Sequence, residues 1–273
     1  MVEAFSSVAE DRLIDGLSFK LEPGASYITD RRSVTYHPQG SNIYSSVSGT
    51  KLIRIVLTGD SWMDPATFRL MFDVVNTDQN YRLRPLNAPW AFFRRMRILA
   101  AGQLVEDIDY YNRVHHMFSL LIAKESGEND CAEGFGYNTT DVRDLNTTTQ
   151  LSGIPATQSQ TVMFKPLSGL LSQNKYLPIR YMPITIEMEL VNNYLDPIVD
   201  PTMDPRTDAL HFQTTNTSIS YVLQNVCVKV DMFTLDNTLD NNYAQKLLSG
   251  TWTSQLHTIS RQMPRSEEHT SEL

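Results

Sequence analysis

Apolar and polar residues alternate with a period of two along much of this chain. In residues 184–190 (ITIEMEL), Ile184, Ile186, Met188 and Leu190 fall on one face, and Thr185, Glu187 and Glu189 on the other. That is the pattern of a strand with one buried and one wet face. Residues 67–75 (TFRLMFDVV) repeat it, with Phe68, Leu70, Phe72 and Val74 on one side. Residues 51–58 (KLIRIVLT) form a β-branched strand ended by Gly59 and Asp60, and residues 162–167 (VMFKPL) form another. Residues 33–46 (SVTYHPQGSNIYSS) predict a strand broken by a turn at 38–40. Residues 219–235 (ISYVLQNVCVKVDMFTL) predict a long strand with Val226, Val228 and Val230 on one face.

Residues 92–108 predict a β-hairpin, since FFRRMRILA and QLVEDI flank Ala101 and Gly102. Its first arm carries Arg94, Arg95 and Arg97, and its second carries Glu106 and Asp107, with Asp109 just beyond. Opposite charges at those positions predict a cross-strand ladder that sets register, rather than a ligand site. Residues 109–124 (DYYNRVHHMFSLLIAK) predict a helix capped by Asp109 and closed by Gly127. Tyr111, Val114, Phe118, Leu121 and Ile122 form its apolar stripe, which reads as core. A short helix is expected over 235–248 and a further strand over 251–259. Residues 1–29, with apolar Leu13, Ile14, Leu17 and Phe19, form an arm or an edge strand.

Two segments lack any apolar period. Residues 125–160 are rich in Thr, Asn, Asp and Gly, and predict either a subunit-contacting loop or a disordered excursion. Residues 196–208 (DPIVDPTMDPRTD) hold three Asp-Pro pairs, which block helix and central strand alike and mark a domain boundary. The evenly spaced Asp196, Asp200, Asp204 and Asp208 lack the Gly and terminal Glu of a calcium loop. The last nine residues, 265–273 (RSEEHTSEL), match the in-frame translation of a short-read sequencing adapter. They are set aside as a non-native tail, so the native reading frame is expected to continue past about Pro264.

Composition narrows the function classes. The chain has 273 residues, 41% of them hydrophobic, enough for one large β domain or two ordinary ones. The net charge is −8, and about −6 without the tail's one Arg and three Glu, so there is no global drive toward nucleic acid. Cys131 and Cys227 do not make a disulfide scaffold and point to a reducing setting such as cytosol or nucleus. No apolar run reaches the ~18 residues of a membrane span, and the N-terminus is not a signal peptide. The sequons at Asn138, Asn146 and Asn216 therefore read as chance.

Catalytic and metal-binding patterns are missing. His115 and His116 are adjacent, and so cannot form the i, i+4 pair of a zinc helix; His37, His211 and His257 stand apart. There is no G-x-S-x-G, no phosphate-binding loop, no C-x-x-C, and only an isolated G-x-G at Gly134 and Gly136. The interleave at 90–97 (WAFFRRMR) could face nucleic acid, but its periodicity favours a strand with core aromatics. No catalytic, cofactor-binding or metal residue is assigned, and no cofactor is expected.

The strand count points to an all-β, jelly-roll β-sandwich. Residues 33–46 followed by KLIRIVLTGDSWMDPATFRLMFDVVN resemble the start of the major capsid proteins of eukaryotic double-stranded DNA viruses, above all the hexon-type proteins of polinton-like viruses and adintoviruses. FFRRMRILAAGQLVEDIDYYNRVHHMFSLL, SGLLSQNKYLPIRYMPITIEMELV and VDMFTLDNTLDNNYAQKLLSG extend the resemblance in the same order over roughly residues 30–260. The resemblance implies a double jelly-roll whose subunits form homotrimeric, pseudo-hexagonal capsomers in a virion. Those capsomers would contact one another and minor capsid or penton proteins, after assembly in the host nucleus or cytoplasm. It places an N-terminal arm at 1–29, the first jelly-roll at 30–196, an Asp-Pro linker at 197–216 and the opening strands of a truncated second jelly-roll at 217–264. A truncated second sandwich exposes apolar surface, so such a chain either aggregates or holds residues 219–235 against the first domain. Specific nucleic-acid binding is not expected. The rival readings are a lectin-like single jelly-roll using Trp62 and Trp90, and a cupin-like metalloenzyme.

Overall fold

The computed structural model describes residues 27–47, 49–83, 85–86, 89–121, 153–198 and 217–248. Eight long strands carry the fold: β1 (Ile28–Tyr36), β3 (Leu52–Leu57), β5 (Arg69–Asn76), β7 (Phe93–Ala100), β8 (Gln103–Asp109), β9 (Ser159–Phe164), β11 (Ile184–Leu190) and β13 (Tyr221–Leu235). Short strands fill the connections: β2 (Ile43–Tyr44), β4 (Trp62–Met63), β6 (Arg82–Leu83), β10 (Leu177–Pro178) and β12 (Thr217–Ser218).

One antiparallel sheet runs β1-β13-β5-β9, with β2 and β4 also bonded to β13. The other runs β3-β11-β7-β8. Lettered B to I in chain order, the eight strands pair as B-I-D-G and C-H-E-F, the order of a jelly roll. Inward residues of both sheets fill the core between them. Ile53, Ile55, Phe72, Met96, Ile98, Ile184, Met188, Val228 and Val230 are fully buried there. The alternation expected over residues 184–190 is observed residue by residue.

The expected boundary at 197–216 does not begin a second sandwich. β13 is the central strand of the first one. It pairs with β1 from Ile28↔Leu235 to Tyr36↔Val228, and with β5 from Tyr221↔Asn76 to Lys229↔Arg69. Leu223, Val226, Val228, Val230 and Met232 enter the same core as the other strands. Leaving them out would strip the core of one inner row and leave β1 and β5 with open edges. Residues 221–235 are thus an integral strand of this sandwich, not the opening of another one resting against it.

β13 bends where Gln224 and Cys227 flank an extra residue opposite Phe72. Asn225 takes the left-handed conformation there (φ 52°), which Asn tolerates better than most side chains. Its amide donates to Asp73 at 2.7 Å, and Asp73 also accepts from Thr161 at 2.6 Å. Three neighbouring strands are thereby tied at one point. The bulge keeps Leu223 and Val226 both inward despite their odd spacing.

A second, smaller cluster lies on the other face of the same sheet. Trp62, Tyr176, Phe233 and Leu235 are covered by Leu239 and Tyr243 of helix α2 (Asn237–Leu248). Trp62 meets Tyr243 edge to face at 4.7 Å, and Tyr176 stacks on Phe233 at 4.8 Å. Asp236 starts the helix, accepting from the Thr238 backbone N–H at 3.1 Å; the Thr238 hydroxyl, and then that N–H, hold its carboxyl below the usual range. An Arg180–Asp240 pair at 2.7 Å fixes the helix flank.

The helix expected over 109–124 is shorter. It is α1, Tyr111–Ser119, and Asp109 does not cap it. Asp109 is the last residue of β8 and faces Arg94, while Tyr110 turns the chain with φ 51°. Within the expected stripe, Tyr111 is buried and Val114 partly so, but Phe118 and Leu121 are exposed. Ile122, Gly127, the bulk of the 125–160 segment, Cys131, the three sequons, residues 199–216, the arm at 1–26, the strand expected at 251–259 and the tail at 265–273 lie outside the described residues.

Candidate assembly surfaces

The outer face of the β3-β11-β7-β8 sheet is an ordered row of charges. Period two sends Arg54, Glu187, Arg97 and Asp107 outward at one level across the four strands, because the registers pair Glu187 with Arg54 and Arg97, and Arg97 with Asp107. Arg97 reaches Glu187 at 2.9 Å, and Arg95 grips Asp107 through two bonds of 2.8 and 2.5 Å. Arg94 lies 3.6 Å from Asp109 and 3.7 Å from Glu189. The Arg95 bond holds the Asp107 carboxyl below its ordinary range. Each Arg has a carboxylate partner, so the face is compensated throughout and offers no net field for a polyanion. Glu187→Gln removes the carboxylate that lies between Arg54 and Arg97. With these arginines a third to a half exposed, solvent screening limits the expected loss to about 1 kcal/mol. Urea melts at low and high salt check it, with the smaller loss at high salt.

The hairpin expected here is present, closed by Ala101 (φ 48°) and Gly102 (φ 83°), both with the positive φ that a two-residue turn of right twist requires. Glu106, however, is not a rung of the ladder. A bulge between Ile98 and Leu99 on the pairing with β8 sets Glu106 opposite the core residue Ile98. Its carboxylate is buried, bonded to the Ser168 hydroxyl and accepting from the Gly169 N–H at 2.8 Å. It pins the 165–171 segment to β8. Glu106→Ala should cost about 3 kcal/mol by leaving those two donors unpartnered in the core. Denaturant melts check this, and a loss under 1 kcal/mol would show the contact to be dispensable.

The aromatics of the 90–97 interleave are core. Trp90, Phe92 and Phe93 are buried, and the arginines among them point to carboxylates. Trp62 and Trp90, the anchors a glycan-binding reading would need, are 3% and 8% exposed. Apolar surface is exposed elsewhere: Met117, Phe118, Leu120 and Leu121 follow one another at the end of α1, and Leu104 stands out from β8.

Chemistry is sparse. A cavity of about 260 Å³ at the Tyr221 end of β13 is lined mainly by Ser45, Ser46, Thr77, Tyr194, Ile219 and Tyr221. Burial pushes the Tyr221 phenol up, against the opposing effect of the facing Ser46 hydroxyl. The Cys227 thiol is buried and likewise pushed up, the reverse of an activated nucleophile. Among the described residues, no three of His, Cys, Asp or Glu converge as a metal site. No helix among them is long and apolar enough to cross a membrane.

No protein-family model and no curated protein matches the chain. Among solved structures, it is similar to a chain in a structure of the Sputnik virophage by cryo-EM, with 12% identity and TM-score 0.48 over 80% of this chain and 50% of that one. It is also similar to PBCV-1 VP54 as fitted into a reconstruction of Sputnik (12%, 0.46, covering 83% and 48%) and to a chain of a PBCV-1 virus capsid model (13%, 0.43, covering 83% and 47%). The chain spans about half the length of each.

Proposed function

We propose that this chain is the first jelly-roll of a double-jelly-roll major capsid protein, and that it works by self-assembly rather than catalysis. The observation that carries this reading is the pairing order of the eight long strands, B-I-D-G against C-H-E-F. Jelly-roll sandwiches serve capsids, lectins and cupins, and fold alone does not choose among them. Two features favour the capsid. The ordered motifs over residues 30–260 resemble that family. Both tryptophans that a lectin-like site would use are buried.

On this reading the subunits form homotrimers with a pseudo-hexagonal outline, and the trimers contact one another and minor capsid or penton proteins in a virion. The compensated charge face suits packing against protein better than against nucleic acid. A second jelly-roll would then begin beyond α2, not at residue 217.

The test is to extend the source sequence past the codon for Pro264 and express the whole frame. The reading expects about 150 to 250 further residues, the size of one domain. It also expects a trimer in sedimentation, with a pseudo-hexagonal outline by negative-stain microscopy. A nearby stop codon with a monomeric product would overturn it.

A further inference from the structure

We propose that the stack of His115 on Trp90 is an acid-operated latch: the neutral imidazole holds α1 on the sandwich, and its protonation releases the helix. The latch is independent of the capsid reading.

The geometry is specific. The His115 ring lies 4.0 Å from the Trp90 ring at 16°, with Tyr111 and Phe164 edge-on at 5.6 and 6.0 Å. Its Nε2 sits 3.5 Å from the Lys165 carbonyl oxygen. A carbonyl only accepts, so Nε2 carries the proton in the neutral ring. Nδ1 is then a bare nitrogen, buried and without a hydrogen-bond partner. A second proton must go to Nδ1, inside the buried contact with Trp90.

Hydrogen bonds to the Lys165 and His115 backbone favour the charged ring, but burial outweighs them. Helix α1 itself contributes His116, whose charge opposes protonation, and Arg113, whose guanidinium lies over Tyr110. The adjacent β7 carries Arg94, Arg95 and Arg97, whose charges are met by Asp109, Glu189, Asp107 and Glu187. The 89–92 turn that holds Trp90 has no titratable group, and the end of β9 brings Lys165. Glu106 on β8 is engaged by Ser168 and Gly169. Burial consequently drives the His115 pKa down from 6.5 to about 4. The closed helix therefore binds this proton more weakly than a free imidazole does.

The sign follows from that difference. The folded pKa lies below the unfolded one, so closure is fully favoured above pH 6.5 and is progressively lost as pH falls toward 4. The helix is also held where the Leu167 N–H donates to the Tyr111 hydroxyl at 2.7 Å. Release would uncover Trp90 and Phe164 and join them to the apolar residues already exposed at Met117, Phe118, Leu120 and Leu121.

The test is a titration of the full chain from pH 7.5 to 4, following the His115 ring resonance, bis-ANS emission, tryptophan emission and far-UV circular dichroism. The expected result is a single midpoint between 6.5 and 4 shared by the ring, dye and tryptophan signals, with the sheet signal unchanged. In His115→Phe the dye and tryptophan steps should vanish. The proposal is overturned if His115→Phe keeps the step, if His115 titrates with no dye response, or if the sheet signal is lost at the same midpoint. Should His115→Phe fail to fold at pH 7.5, coincidence of the three midpoints in the unaltered chain still decides.

Discussion

A chain ending before Thr217 will not fold, whereas one ending after Leu248 will. The first lacks β13, and with it the buried side chains of Leu223, Val226, Val228, Val230 and Met232. At roughly 1.5 to 3 kcal/mol each, those five are worth about 8 to 15 kcal/mol as an upper bound. That equals the whole stability of a typical domain. Both partner strands would also lose their hydrogen bonds to the centre of the sheet. The shorter chain should appear in inclusion bodies or as an aggregate without a cooperative urea transition. The longer chain should melt in one transition. Cooperative unfolding of the shorter chain would mean that β13 is a passenger.

The largest single-residue effect is expected at Phe72. Its ring is fully buried and meets Phe93, Phe92 and Phe164 edge to face at 5.5, 6.1 and 6.4 Å. It sits opposite the β13 bulge, so it packs where both sheets and the bent strand meet. Phe72→Ala removes a ring that its neighbours cannot replace and should cost about 3 to 5 kcal/mol. Phe72→Leu keeps most of the volume and should cost under about 1.5 kcal/mol. Denaturant melts of both variants check the contrast, and equal losses would show that shape at this site does not matter.

These two effects divide along what a sequence shows. Phe72 is legible: Phe68, Leu70, Phe72 and Val74 alternate with polar residues, and all four are buried. The 184–190 strand and the Ala101-Gly102 hairpin are legible for the same reason, since period and turn chemistry are local. The partner of β13 is not local. Arg31 pairs with Phe233 across some two hundred residues. The Asp-Pro run just before β13 is a strong boundary signal, and nothing in the sequence shows that the chain returns to the same sheet after it. Asp109 does not cap the helix because it stays in its strand, paired with Arg94, and Tyr110 makes the turn. Charge alone groups Glu106 with Asp107 and Asp109, although alternation puts it on the opposite face, and its Ser168 and Gly169 partners come from a distant segment. The burial of Trp62 depends on α2 folding back over it, a contact made across 181 residues.

The closed jelly-roll stands on β13 being the strand that completes the sandwich. Native-state amide hydrogen exchange tests it most directly. The prediction is that the amides of β13 bonded to β1 and β5 exchange in the slowest class, together with those of β5 and β11, and open only with global unfolding. If β13 exchanges in a separate and less stable unit, while the other strands of its sheet stay protected, the segment belongs elsewhere and the single closed jelly-roll is contradicted.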